Sequence, residues 1–333
     1  MIDEAEIDRQ LAARPTDFTL LIAKADLRSR IGDDRAGAAF YKAALAAASA
    51  AGGPLPASWR QPIERAQAAL AAATRRFESH LQAELAKAGF AEGQRPERFQ
   101  HSLDLLTGRR QPRPSLQRPG AYFYPDLPER RYYERDQLPW SAMVEAAAPI
   151  ILAELQAHLA TSAADAFRPY LVSSADRPQT EYHGLVDNPA WSTLYIWEKG
   201  GPVAELASAF PRTLEVMQKL PLPRIGVRAP SVLFSRLGPG ARIPLHNGML
   251  NTRLICHLPL IVPDHCSFEV GGERRPWEVG KLLVFDDSVE HQAWNDSDED
   301  RIILIFDIWR PELSGREREA VTALFAAIDN YPS

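Results

Sequence analysis

Cysteine occurs only twice in the 333 residues, at Cys256 and Cys266. Two cysteines in a chain of this length make no disulfide framework, so a reducing compartment, the cytoplasm, is expected. Charge of one sign is not in excess either. The formal net charge is −5, which speaks against a nucleic-acid partner. No stretch approaches the roughly 20 apolar residues of a membrane span. The opening MIDEAEIDRQLAARP is acidic and lacks the basic and apolar regions of a secretory signal. Walker A, GxSxG, HExxH and GxGxxG patterns are missing, which removes the phosphate-loop, serine-hydrolase, zincin and dinucleotide-binding classes. What remains, 45% hydrophobic, is the composition of a soluble protein with room for one large domain or two modest ones.

Residues 4–89 are rich in Ala, Leu, Arg and Glu, with Gly and Pro confined to breaks. LLIAKADLRSRIGDDRAGAAFYKAALAAAS reads as two antiparallel helices joined at Gly32-Asp33-Asp34. Small residues at Ala25, Gly37 and Ala44, with Tyr41 between them, match the small/large alternation of tetratricopeptide (TPR) helices. A second helix pair is expected over 58–85, without a clear repeat signature. The composition then turns to Pro, Arg, Gln and Gly, as in GRRQPRPSLQRPG, which is linker chemistry. The expected organisation is therefore a helical TPR-like region over 1–110, a linker over 111–125 and a second domain over 126–333. Such a helical region either caps the second domain or offers a groove to a protein partner. Within the second domain, AYFYPDLPERRYYERDQLPW wraps a globular surface and WSAMVEAAAPIILAELQAHLA forms an amphipathic helix ending near Thr161. A strand pair over 182–197 and a short helix at PRTLEVMQKLP come next. A last helix begins behind the N-cap Ser314.

The stretch 235–309, with the run just before it, carries the chemistry. Short β-type runs (VLFSRL, RIPLH, TRLICHLPL, CSFEV, KLLVFDD, HQAW, RIILIFDIW) alternate with Gly, Pro, Asn and Asp turns. That spacing predicts an antiparallel sandwich or barrel. His246 and His291 fall at strand ends about two hairpins apart. Imidazoles projecting from neighbouring strands into a barrel mouth make a metal site of the kind iron oxygenases use. Arg301 opens a strongly apolar strand, and a guanidinium on an apolar wall needs an anion, which a small dicarboxylate would supply.

From about 118 to 313 the chain resembles the aspartyl/asparaginyl β-hydroxylase family of iron(II)/2-oxoglutarate dioxygenases. The motifs WSTLYIWEKG, FSRLGPGARIPLHNG, NTRLICHL, VGKLLVFDDSVEHQAWN and RIILIFDIWRPEL carry the resemblance, in order and tightly spaced. It implies an α+β multidomain protein whose second domain is a double-stranded β-helix (jelly roll, cupin type), with a metal at its open end. It also implies Fe(II) as cofactor, with 2-oxoglutarate and O2 as cosubstrates.

The resemblance carries residue by residue. His246 of HxG and His291 of FDDSxEH match the two iron ligands. Most 2-oxoglutarate oxygenases add a carboxylate two residues after the first histidine. Here that position is Gly248, and the family is similar in leaving it to water. Asp287 is the candidate to hold that water, or is simply a turn residue of FDDS. Arg301 and Ser235 match the pair around the distal carboxylate of 2-oxoglutarate, and His257 faces the same site. Arg253, four residues before His257 and so on the same strand face, is expected near a substrate carboxylate. Ile255 between them departs from the family, where a second arginine stands in the hydroxylase of epidermal-growth-factor-like domains. Trp191 matches an aromatic near the substrate groove, and a core tryptophan is the equal alternative. The implied reaction is hydroxylation of an unactivated C–H, on the β-carbon of an Asp/Asn-type residue or a related amino acid or peptide. The substrate is then a small molecule or peptide bearing an anionic or polar group. The alternatives are a non-catalytic cupin-like binding module with a protein-interaction half, and a hydroxylase of lipid acyl chains.

Overall fold

The computed structural model describes residues 3–111, 114–161, 166–173 and 184–331. The chain divides into two compact units, one of residues 1–92, 172–182 and 327–333 and the other of residues 93–171 and 183–326. The strand expected from residue 182 begins outside the described residues.

The first unit holds α1 (Glu4–Ala13), α2 (Phe18–Arg30), α3 (Asp34–Ala50) and α4 (Arg60–Lys87). Asp17 caps α2 by accepting from the amides of Thr19 and Leu20, and Asp33 caps α3 through Ala36 N at 2.9 Å. The turn between them uses Gly32 at φ 89°, a left-handed conformation that glycine adopts without strain. Ala25 and Ala44 are fully buried, and any side chain at Gly37 would collide with Ser29 of α2. This hairpin has the expected close packing through small residues. The second helix pair does not form: residues 60–87 make one unbroken helix of 28 residues. No Gly, and no Pro after Pro62, interrupts it, so nothing in that stretch turns the chain back.

In the second unit, residues 114–125 do not behave as a linker. Arg118 N donates to Ser288 O at 2.7 Å and Gly120 N to Gly248 O at 2.9 Å. Tyr124 N reaches the Asn251 side chain at 2.7 Å, and Tyr122 and Tyr124 are buried. The compact unit already begins at Gly93 and takes in α5 (Glu97–Leu106). Pro/Arg-rich composition identified an extended segment, but its backbone is bonded to the sheet.

Further strands and helices follow in order: β1 (Tyr132–Tyr133), α6 (Ser141–Thr161), β2 (Arg168–Pro169), β3 (Trp191–Glu198), β4 (Gly201–Pro202), α7 (Ala204–Ala207) and α8 (Pro211–Gln218). Then come β5 (Val232–Leu237), β6 (Arg242–His246), β7 (Arg253–Ile261), β8 (Cys266–Val270), β9 (Glu273–Arg275), β10 (Leu283–Phe285), β11 (His291–Asn295), β12 (Arg301–Trp309) and α9 (Gly315–Asp329). Ser314 and Glu317 close a reciprocal capping box at the start of α9, Ser314 N donating to the Glu317 carboxylate and Glu317 N to Ser314 Oγ.

Among the described residues the strands form a larger sheet, β1-β10-β7-β12-β5-β3-β2 with β4 on β3, and a smaller one, β6-β11-β8-β9. From β5 onward successive strands pass between the sheets, apart from the β8–β9 hairpin within the smaller one, and every pairing is antiparallel. That winding is a double-stranded β-helix, or jelly roll.

The two faces of the larger sheet do different work. Even-numbered residues of β7 and β12 (Leu254, Cys256, Leu258, Leu260; Ile302, Leu304, Phe306, Ile308) join a core with Val144, Ile151 and Leu155 of α6 and Leu214 and Met217 of α8. Odd-numbered residues (Arg253, Ile255, His257; Arg301, Asp307) therefore face the smaller sheet. His257 against Phe268 at 5.1 Å and Phe285 against His291 at 5.4 Å are contacts across that interior. The helix α6 is long and apolar enough to cross a membrane by length and composition, an exception to the expectation that no such run exists. One side of it fills the core just described.

Candidate active site

Antiparallel register brings the two histidines together. His246 ends β6, His291 begins β11, and they are direct cross-strand partners with ring centroids 4.0 Å apart. Each ring gives its Nδ1 proton to a carbonyl two residues earlier, His246 to Pro244 O at 2.8 Å and His291 to Val289 O at 2.9 Å. With the Nδ1 proton fixed, the lone pair of a neutral imidazole lies on Nε2, the atom a metal would take. Burial holds both rings below their ordinary pKa, and His291, with His246 beside it, falls to about 3.

The position of a third ligand is filled from another strand connection. A Cβ built on Gly248 would coincide with the carboxylate of Asp287, while Gly248 N donates to Asp287 O at 2.6 Å. The turn-holding contacts in FDDS belong to its neighbour: Asp286 accepts from Ser288 N, Ser288 Oγ and Gln117 and pairs with the buried Arg310 at 2.6 Å. Asp287 is left turned to the Gly248 side, with Oδ1 buried and without a hydrogen-bond partner among the described residues. Among the described residues no group of three His, Cys, Asp or Glu gathers as a metal site. Two imidazoles plus an orphaned carboxylate oxygen in the cradle of Gly248 suit a metal held by two protein ligands and water.

Burial raises the Asp287 pKa to about 7, against the lowering pull of Arg253. The stability consequence has a definite sign. Below about pH 4 the folded and unfolded carboxyls are both protonated and nothing is lost. Between about pH 4 and 7 the unfolded chain gives up the proton first, and above 7 the folded state carries a buried charge. Replacing Asp287 with Asn should therefore stabilise the metal-free protein above pH 7, by no more than about 4 kcal/mol, with the gain vanishing toward pH 4. Urea unfolding of the pair at pH 5 and pH 8 checks this. A pH-independent difference would contradict it.

Arg253 reaches both acids of the interior: Nη1 to Asp307 Oδ2 at 2.8 Å and Nη2 to Asp287 Oδ2 at 3.5 Å. Asp307 is itself held by Ser231 N at 2.9 Å. Although burial opposes its charge, these two carboxylates carry the Arg253 pKa well above the ordinary range. Expected near a substrate carboxylate, this guanidinium already meets two carboxylates of the chain itself.

Arg301 is the opposite case. It is 1% exposed, and among the described residues its Nε has no partner and it makes no ion pair or side-chain hydrogen bond. Burial pushes its pKa down to about 10, still cationic at neutral pH. Its guanidinium lies over the Trp277 ring at 4.8 Å. Ser235, the cross-strand partner of Ile303, sits one inward position along from Leu237, the partner of Arg301. His257 shares this interior, receiving the Trp277 indole N–H on Nδ1 at 3.3 Å. Trp191, partner of Leu237 on β3, stacks on Tyr170 at 4.2 Å, and its ring lies 6.2 Å from His246. It is buried, and its indole nitrogen has no hydrogen-bond partner among the described residues. Every site residue expected from the sequence thus lies on or beside one interior. Asp307 and Trp277 were not anticipated. An acid in an inward position of RIILIFDIW was a readable signal for the first; no local pattern marks the second.

The family model described as Aspartyl/Asparaginyl beta-hydroxylase matches residues 145–311, half of the chain and all of this interior. The chain belongs to the aspartyl/asparaginyl β-hydroxylase family. It is 34% identical over 145 residues to the Homo sapiens aspartyl/asparaginyl beta-hydroxylase, covering 43% of this chain and 19% of that protein. Against the aspartate beta-hydroxylase domain-containing protein 2 of Xenopus tropicalis, identity is 32%, over 64% of this chain and 56% of that one. The ornithine lipid ester-linked acyl 2-hydroxylase of Rhizobium tropici is 31% identical, over 56% of this chain and 63% of that one. The chain thus spans about a fifth of the length of the human and mouse β-hydroxylases it matches.

For this member of the family, Gly248 yields a direct expectation. Gly248→Asp should not supply a better third ligand but should abolish activity, because its Cβ needs the space of the Asp287 carboxylate. Gly248→Ala should do nearly the same, since the loss is steric. Adding Asp287→Ala to Gly248→Asp should recover part of the metal affinity. A single Gly248→Asp protein with raised coupled hydroxylation would sink the argument.

Proposed function

We propose that the protein is an iron(II)- and 2-oxoglutarate-dependent dioxygenase hydroxylating an unactivated C–H, on the β-carbon of an Asp/Asn-type residue or a related amino acid or peptide. The supporting observation is Arg301, a fully buried guanidinium without an acidic partner among the described residues, in the same interior as the His246/His291 pair. A buried charge without a partner costs several kcal/mol, and a ligand carboxylate offsets that cost. Iron(II) held by His246 and His291 would supply the redox chemistry with O2, the overall change being R–H, 2-oxoglutarate and O2 to R–OH, succinate and CO2. Asp287 keeps water at the third position. Arg301, with Ser235 and His257, orients the cosubstrate, and Trp191 borders the substrate. Orientation, electrostatics and exclusion of bulk water are the protein's part.

The test is succinate release with iron(II) and 2-oxoglutarate against pools of Asp/Asn peptides and free amino acids. Succinate above the no-protein control, with or without substrate, is expected. No release together with no 2-oxoglutarate binding would favour the non-catalytic module instead. A second substrate reading, an acyl chain, has its own support: Ile255 puts an apolar side chain between Arg253 and His257. Leu245 and Met249, beside His246 and Gly248, are each about half exposed, at 50% and 54%. Acyl lipids belong in the same assay. The α2–α3 hairpin is proposed as a surface for a protein partner. Two unpaired cysteines support a reducing compartment such as the cytoplasm.

A further inference from the structure

A buried cation that must receive a ligand carboxylate poses a design problem. Something must fix its plane, yet an acidic residue doing so would occupy its donors and neutralise it. Trp277, in the segment between β9 and β10, meets both demands. Its ring lies 4.8 Å from the Arg301 guanidinium, a face-on contact that orients the cation without taking an N–H. The same indole donates its Nε1 proton to His257 Nδ1 at 3.3 Å. Indole nitrogen is a donor only, so Nδ1 must hold a lone pair and the proton of the neutral ring sits on Nε2. That Nε2–H has no protein partner among the described residues. The ring is held in place by Phe285 at 4.8 Å and Phe268 at 5.1 Å, and Phe268 stacks on Trp277 at 5.3 Å. Burial, then the charge of Arg301, keeps His257 neutral. In the other tautomer the ring would offer a lone pair on Nε2, which repels a carboxylate.

We infer that Trp277 is a positioning residue of the anion pocket: one face sets the Arg301 guanidinium and one N–H sets the His257 tautomer, so that both stand ready to donate to a carboxylate. This rests on the reading of the pocket as the 2-oxoglutarate site. Nothing in the family resemblance assigned this tryptophan.

Two measurements test it. In 15N-histidine-labelled metal-free protein, His257, assigned by comparison with His257→Gln, should show a protonated Nε2 and an unprotonated Nδ1. This needs no variant of Trp277, so poor folding of such a variant cannot shield the idea. Calorimetric titration of 2-oxoglutarate into the zinc-loaded protein, which does not turn over, supplies the second. Trp277→Phe keeps an aromatic face but loses the N–H, and should weaken 2-oxoglutarate by about tenfold. It should also mix the His257 tautomers while leaving zinc affinity within about twofold. Trp277→Leu, losing the face as well, should weaken 2-oxoglutarate further. A protonated Nδ1 in the unaltered protein, or Trp277→Phe binding 2-oxoglutarate as tightly as the parent, would overturn the inference. Failure of the parent itself to bind 2-oxoglutarate would overturn the assignment of the site and this role with it. The histidine spectrum would still show which of the two had failed.

Discussion

Replacing His291 with Ala is expected to abolish 2-oxoglutarate turnover and to reduce divalent-metal affinity by more than about 100-fold, beyond what losing a hydrogen-bond partner of a ligand costs. Among the described residues only two side chains are placed to bind the metal, and each is locked in the productive tautomer by a carbonyl two residues earlier. Losing one leaves a single imidazole and a carboxylate lodged against Gly248. Asp287 cannot move in to compensate, because Oδ2, its atom nearest the Gly248 Cβ position, is also the one that faces Arg253 at 3.5 Å. His246→Ala should match His291→Ala within experimental spread. Metal content after iron loading, a cobalt(II) titration and succinate release together decide it. A His291→Ala protein with full metal content and turnover would show the ligands to be elsewhere. Folding should survive, since the imidazole of His291 lies at an interior already lined by Phe268 and Phe285.

Why the strands and the histidine pair could be read from the sequence, while the clamp on Arg253 could not, follows from the range of the forces involved. Period-two alternation in RIILIFDIW and TRLICHLPL is a local property, and the sheet preserves it as two faces with different neighbours. The histidine pair follows from motif spacing plus antiparallel register. Asp307 and Asp287 meet Arg253 from different parts of the chain, so no local pattern reports that its fork is occupied. Trp277 is subtler still, because an indole in a Pro-containing loop reads as surface. Helix α4 was readable but misdivided: a second pair needs a break, and residues 63–87 contain neither Gly nor Pro. For residues 114–125 the Pro/Arg-rich composition predicts a linker, whereas the segment is bonded to the sheet. Composition cannot say whether an extended backbone bonds to water or to Ser288 and Gly248.

The two interior arginines should part company when removed, in function and in stability. Arg301 binds no anion among the described residues, so Arg301→Ala should raise the 2-oxoglutarate dissociation constant by about 30- to several-thousand-fold, the cost of removing one partner of a buried charge pair (about 2–5 kcal/mol). Arg301→Met, which restores apolar volume, should do the same and also raise the melting temperature of the ligand-free protein. It exchanges an unpartnered buried cation for a side chain that suits the site. Arg253→Ala should have the opposite signature. It leaves Asp307 and Asp287 buried without their cation, so stability should fall by about 3–5 kcal/mol. Binding of 2-oxoglutarate should stay within about twofold, because the two arginines share no partner, while coupled hydroxylation is lost. The cosubstrate titration, followed by the metal-to-ligand absorption band of the iron-loaded variants, and thermal melts of the ligand-free proteins read both axes. Equal loss of 2-oxoglutarate affinity in Arg301→Ala and Arg253→Ala would mean that the interior is one undivided anion site. A fall in stability on Arg301→Met would mean that this guanidinium serves the fold rather than a ligand.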